Sequence, residues 1–395
     1  MSIKRCLLQG SILSVLITYG AAGAQAADPN DVAARLKAAF AEQGVTLSWR
    51  SVSGNDASMV LSGVTASTSA STQPAEIGDV TLSGVSEENG GYRINKVTMP
   101  DYSVTKDGTT LDATGIEISG LRLPAQGKND DPMAGLMLYD HARIQDINVK
   151  KGGDAVFDAS NCHVDITPPS GDNPLKFTGA VDHFTADLSA TKDPKAKAVI
   201  QALGYETIDG SADMAGSWSP SNGRMDIDKY EVAVKNAGTL AISLDMSGYT
   251  RDFIKSVHRV RMEMAAHPQK KNSAQGLVLL GLLQQLSFTD AKISFTDDSL
   301  TGKVIDYLAA KQNMRREDII NQAKAVLPFA LAKMHNPEFS AKVTAAVSKF
   351  LDDPKNLTIK AAPPSPLSLG ILIAGAMAAP EQIPNQLGVT VTANQ

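Results

Sequence analysis

The chain has 395 residues, a formal net charge of −5, 43% hydrophobic residues and only 5% aromatic ones. A mildly acidic balance excludes a nucleic-acid binder, which needs a basic face to neutralise phosphates, and gives no help toward anionic membrane surfaces. Few aromatics beside many small and β-branched residues suit long, thin β architecture better than a compact α/β enzyme.

Residues 1–26 read as a cleavable signal peptide. Lys4 and Arg5 make a positive start, "LLQGSILSVLITY" is a short apolar core, and Ala24-Gln25-Ala26 is a small-x-small cleavage site. The apolar run is shorter than the roughly 20 residues of a membrane span, and Gly10 breaks it. An uncleaved anchor is the alternative reading. With cleavage, the mature chain starts at Ala27, is periplasmic and keeps no transmembrane anchor. Losing Lys4 and Arg5 takes its charge to −7. Cys6 precedes the apolar core, so it is no lipoprotein cysteine. Cys162 then remains alone, which excludes an internal disulfide.

Residues 27–44 form one N-terminal helix. Asp28 or Asn30 can cap it, Val32, Leu36 and Phe40 recur at a helical interval, and Gly44 stops it. From 45 to about 250 the period changes to short alternating runs, such as "VTLSWRSV", "IGDVTLSGVS" and "RMDIDKYEVAVKNAGTLAISLDMSG". Asn89-Gly90, Asp107-Gly108, Gly152-Gly153, Asn222-Gly223 and Asn236-Ala237-Gly238 separate them and supply the positive φ angles of tight hairpins. One unit recurs. "YSVTKDGTTLDAT" is followed about 45 residues later by "INVKKGGDAVFDAS", with Val104 matching Val149 and Asp112-Ala113-Thr114 matching Asp158-Ala159-Ser160. The spacing predicts a hairpin added repeatedly to a growing antiparallel sheet. Within the second unit Cys162, Val164 and Ile166 share a parity, which predicts a thiol on the apolar face, pointing into the core as a buried structural cysteine. A short helix is expected within 190–205.

From 251 to 395 helices dominate. "RDFIKSVHRVRMEMAAH" and the nearly all-apolar "NSAQGLVLLGLLQQL" precede a strand, "SFTDAKISFTDD". Amphipathic helices follow, the middle one kinked at Pro328. "NLTIKA" returns to strand, "LSLGILIAGAMAA" is a buried apolar helix too short to span a membrane, and "LGVTVTA" closes the chain. Strands recurring among helices predict that this third packs on the same sheet.

Catalytic signatures are missing from the sequence: it holds no Gly-x-Ser-x-Gly elbow, phosphate loop, dinucleotide fingerprint or His-Glu-x-x-His. His141, His163 and His183 are spaced at close to a hairpin's length, so a three-histidine metal site competes with scattered surface histidines. We expect no cofactor and nominate no catalytic or metal-binding residue. The candidate ligand face or lid is apolar: Leu277, Leu280 and Leu283 on one helix, and Leu369, Leu372 and Ile373 on another.

The segments "ARIQDINVKKGGDAVFDASNCHVDI" and "IDGSADMAGSWSPSNGRMDIDKYEVAVKNAGTLAISLDMSG" resemble the AsmA-like envelope proteins of Gram-negative bacteria, in which apolar-x-(Asp/Asn)-apolar-x-apolar units, a turn and two more alternating runs repeat. The tail is similar to tails of repetitive periplasmic proteins of unassigned function. The resemblance implies a taco-like sheet with a lipid-accommodating concave face, acting in phospholipid traffic or outer-membrane homeostasis. This chain departs from it in losing its N-terminal anchor and in being too short to bridge the periplasm. The expected fold is α+β: an extended, twisted, mainly antiparallel sheet of repeated hairpins with a helix-rich C-terminal third packed on it. Two functions stand side by side. One is a non-enzymatic protein that handles phospholipid. The other is a structural or interaction protein with a filled core that engages another envelope protein. An enzyme ranks third, and the sequence leaves the oligomeric state open.

Overall fold

The computed structural model describes residues 27–68, 73–125, 138–170, 173–266 and 273–395, with the backbone alone at 258, 261–266 and 273–277. The expected signal peptide at 1–26 lies outside the described residues. One large antiparallel sheet of eighteen strand segments carries the fold, and it does not close on itself.

Helix α1 (Pro29–Glu42) starts where expected, with the Asp28 carboxylate accepting from the Asn30 amide. Strands β1 (Val45–Ser48) and β2 (Ser51–Gly54) are two halves of one edge strand against β3 (Ser58–Thr68). Next come β4 (Ala75–Glu88) and β5 (Gly91–Thr98), the latter continuing as β6 (Tyr102–Lys106). After the Asp107-Gly108 turn, β7 (Thr109–Thr114) and β8 (Glu117–Leu123) return in one register against β6 and β5. Then β9 (His141–Lys151), β10 (Asp154–Thr167) and β11 (Leu175–Asp187) are added in sequence. Helix α2 (Pro194–Leu203) leads into β12 (Thr207–Ser219), β13 (Arg224–Val234) and β14 (Gly238–Ser247).

The repeated hairpins are spatial neighbours: β7 pairs with β9, and the Gly152 amide donates to the Gly108 carbonyl at 2.9 Å, so their turns stack. The residues at the predicted turns do adopt positive φ, among them Asn89, Gly90, Asp107, Gly108, Gly152, Gly153 and Asn236.

Past residue 250, helices α3 (Arg251–Ala266) and α4 (Ser273–Leu283) are inserted before β15 (Ser287–Asp297). Helices α5 (Leu300–Gln312), α6 (Arg316–Ala332) and α7 (Pro337–Asp352) follow, and Pro328 sits inside an uninterrupted α6. The sheet resumes with β16 (Asn356–Ala361) and β17 (Leu367–Ser368), both paired with β15. After α8 (Leu369–Ala378) and α9 (Ile383–Gln386), β18 (Thr390–Ala393) closes against β16. The helical third thus belongs to the sheet.

Alternation alone does not account for β9 to β11, whose apolar residues skip a beat. On β9 they are Ala142, Ile144, Ile147 and Val149; on β10, Phe157, Ala159, Cys162 and Val164; on β11, Gly179, Val181, Phe184 and Ala186. Each three-residue step falls where register pairs Ile144 with Cys162 and Val181, and Ile147 with Ala159 and Phe184. Asn161 takes a φ of 51° at this line and Gly115 one of 59° beside Gln145. The line of irregularities crosses adjacent strands and keeps these apolar residues on one face.

The most complete core is at the N-terminal end. Helix α1 lays Val32, Ala33, Leu36 and Ala39 over Met59, Leu61, Val80, Leu82, Ile94, Val97, Leu121 and Leu123. A polar clamp holds it. Tyr92, 5% exposed, donates its hydroxyl to Asp31 at 2.7 Å, while Arg35 bridges Asp31 and the Gly90 carbonyl and lies 4.8 Å over the Tyr92 ring. Burial, then the hydrogen bond to Asp31, pushes the Tyr92 phenol up to about 12. A second clamp ties β5, β8 and the start of β9: Asp140 accepts from Arg93 and Arg122, each at 2.6 Å.

Replacing Tyr92 by Phe leaves Asp31 without its phenol donor and costs about 1–2 kcal/mol. Denaturant unfolding will read this as a lowered midpoint with an unchanged slope. Partial burial raises the Asp140 carboxyl, but the hydrogen bonds from Arg122 and Arg93 outweigh it and leave the group below the usual carboxylate range. A depressed folded-state pKa contributes stability that is complete above the unfolded value, about 3.9, and is lost as pH falls through the folded one. Asp140→Asn is therefore expected to be less stable by about 1 kcal/mol at neutral pH, a figure discounted for partial solvent exposure. The gap will close in melts taken below about pH 4.

Candidate functional site

Register turns the apolar face into rows that cross the whole sheet. One row begins at Met59 and passes through Leu82, Val97, Ile118, Ala142, Val164, Gly179, Met214, Tyr230, Ile242, Ile293 and Ile359 to Val391, each directly opposite the next. The next row runs Ile144, Cys162, Val181, Ala212, Val232, Leu240, Phe295, Leu357 and Ala393. At about 4.8 Å between strands, the stretch from Ile118 to Val391 is a strip roughly 40 Å long. The opposite face is polar. Arg143, His163, Asp213 and Glu231 stand there, with Lys229 between Asp213 and Glu231.

Helices cover the two ends of this face. Helix α1 buries Met59, Leu82 and Val97, and α7 sets Phe350 and Ala346 on Phe295, Leu357, Val391 and Ala393. Between them the strip meets water: Tyr230 and Ile293 are each 46% exposed, Ile359 43% and Leu240 41%.

Over β8 to β13 the strip deepens into a groove of about 460 Å3, walled by Ile116, Ile118, Ile144, Val164, Val181, Met214 and Tyr230. Its depth comes from small side chains. Ala142, Cys162, Gly179 and Ala212 line it where neighbouring rows carry Ile, Leu and Phe. Along β11 the floor is bounded by two rings: Phe177 lies over Gly216 and Phe184 over Gly210, where a Cβ would come within 2.7 Å of either ring. Those glycines let the aromatic rings lie flat against β12 and leave the Gly179–Val181 stretch uncovered.

Cys162 lies on the apolar face, as its parity predicts, but not in a core. That face is a groove wall here, and the thiol is only half-buried. Burial, then the carboxylates of Asp182 and Asp146, pushes its pKa up, which makes it a sluggish nucleophile.

The histidines do not converge. On the polar face, the rings of His141 and His163 lie 6.1 Å apart and His141 meets Asp165 at 2.8 Å. His183 sits in a bulge of β11 against β12, between Val181 and Phe184, and pairs with Asp209 at 3.1 Å. Among the described residues no cluster of three or more His, Cys, Asp or Glu could hold a metal ion. A polar cleft of about 480 Å3 near His183 is occupied by its own pairs: Asp209 with Lys235, Asp297 with Thr301, and Asp298 with the Asn236 amide.

Those of the six apolar candidates whose side chains are described do not wall the groove. Leu283 and Leu369 pack into a cluster with Phe253, Val260, Leu282, Leu286, Met246 and Tyr249 at one end of β14. Leu280 is exposed, Leu372 and Ile373 are half-buried, and the Leu277 side chain lies outside the described residues. Helix α4 rests on α3 and α8, and α8 on β17. Sequence reasoning passed over the groove floor because Ala142, Gly179 and Ala212 carry no chemical signature. The apolar-x-x-apolar stutter at 144–147, 159–162 and 181–184 was the available signal.

A protein-family model described as an uncharacterized protein matches residues 231–394, from within β13 through β18. That stretch is less than half of the chain. No curated protein matches the sequence.

Proposed function

We propose that this chain is a non-enzymatic periplasmic protein of the cell envelope that holds phospholipid by its acyl chains along the uncovered apolar face. The observation that carries this reading is the small-residue floor of Ala142, Cys162, Gly179 and Ala212, open to water between the two end helices. An antiparallel sheet with an apolar face stabilises it by covering it or by occupying it with apolar matter. At about 460 Å3 the groove falls within the range of small-ligand pockets, roughly 300–1,000 Å3. Each methylene taken out of water contributes about 0.8 kcal/mol. The exposed row of Tyr230, Leu240, Ile293 and Ile359 would extend the contact beyond the groove.

The resemblance to AsmA-like repeats and the signal-peptide reading of residues 1–26 support the same periplasmic assignment. A structural or interaction protein with a filled core fits the two ends, where α1 and α7 seal the face, but not the open middle.

Native mass spectrometry of the protein purified from its own envelope, followed by organic extraction, tests the proposal. We expect close to one phospholipid per chain. Filling the floor with Ala142→Phe and Ala212→Phe should lower bound lipid at least fivefold while the melting temperature stays within a few degrees. Cys162 supplies a second readout: bound lipid should slow maleimide labelling at mildly alkaline pH. A clean apo mass, no extractable lipid and labelling indifferent to added lipid would together overturn the reading.

A further inference from the structure

We propose that the adjoining helices α4 and α8 dock the protein on the surface of an anionic lipid bilayer. Neither "SAQGLVLLGLL" nor "LGILIAGAMA" carries a charged residue. The inner side chains of the pair, Leu282, Leu283 and Leu369, are spent in the cluster with Phe253. Its outer side chains are apolar too: Met377 is 83% exposed, Ile371 62% and Val278 53%. A surface helix ordinarily turns a polar face to water, and a contiguous apolar patch marks a surface made for contact. With 11 and 10 residues the helices are half the length of a span, and no helix among the described residues is long and apolar enough to cross a membrane. At that length they can rest against a bilayer but not cross it.

Charge selects the partner. Arg251, Lys255 and Arg259 recur every four residues on one side of α3, whose other side buries Phe253 and Val260 in the same cluster. Among the described side chains from Arg251 to Val260, three are cationic and one, Asp252, is acidic, in a chain of net charge −5. Local sign thus reverses the acidic balance of the whole beside the exposed apolar helices. An apolar surface flanked by cations is the pattern of interfacial membrane binding, with each cation near an anionic surface contributing about 1 kcal/mol. A second copy of the chain is a poorer occupant, because a symmetric contact would bring two cationic stripes together. Docking here does not require a filled groove. The cluster also holds Met246 and Tyr249, so a bilayer touching α4 and α8 would lie at the margin of the apolar face.

Flotation with vesicles of phosphatidylethanolamine and phosphatidylglycerol, against vesicles of phosphatidylcholine alone, tests this. We expect the protein to float with the anionic vesicles. Ile371→Glu with Met377→Glu, both at exposed positions and checked by an unchanged melt, should weaken binding at least tenfold. Lys255→Glu with Arg259→Glu should abolish the preference for anionic lipid, and the Ala142→Phe, Ala212→Phe variant should float as the unaltered protein does. That last result separates docking from groove occupancy. Failure to float with either vesicle, or equal flotation of the Ile371→Glu, Met377→Glu variant, would overturn the proposal. So would a dimer that this variant dissolves without any vesicle binding.

Discussion

An open antiparallel sheet with one wholly apolar face is the constraint on which the rest of this molecule depends. Backbone pairing sets the strands side by side, but hydrogen bonds contribute little net stability unless the apolar face leaves water. The chain meets that requirement unevenly. At the first strands α1 covers the face fully and Met59 and Leu82 are inaccessible. At the last strands α7 covers it through Phe350 and Ala346. Among the described residues no such helix covers the middle strands, and there the rows of Ile, Leu and Tyr remain accessible.

Register explains why the uncovered region is a strip and not scattered patches. Because each strand is antiparallel to its neighbour with direct pairing, Met214, Tyr230, Ile242, Ile293 and Ile359 stand in line across strands separated by long stretches of sequence. A single uncorrected slip would turn half of these side chains to the polar face. The positive-φ residue Asn161 on β10 and the bulge at Asp182–His183 of β11 against β12 keep them aligned through these strands. The local irregularity therefore serves the global face, and its polar members are paired: Asn161 donates to Asp182 across the bulge.

The two proposals occupy different surfaces and rest on different observations. The groove is carved by small residues within the sheet, whereas the docking surface is built from helices inserted at its edge. The Met246–Tyr249–Leu369 cluster ties the inserted helices to the end of β14.

Much of the architecture was legible from sequence because it depends on local rules. The Asp28 cap, the positive-φ turns at Asn89-Gly90 and Asp107-Gly108, the repeated hairpin and the charge-free helices each reflect interactions within a few residues of chain. The parity of Cys162 was read correctly for its face and wrongly for its burial. Periodicity says which side a residue points to, but not what lies on that side. Whether α4 and α8 would lie over the apolar face or beside it was equally undetermined, since Leu280 and Leu283 differ only in what tertiary packing brings against them. The groove floor was invisible for the same reason. Ala142, Gly179 and Ala212 lie far apart in the chain, and only strand register makes their small volumes add up to one depression.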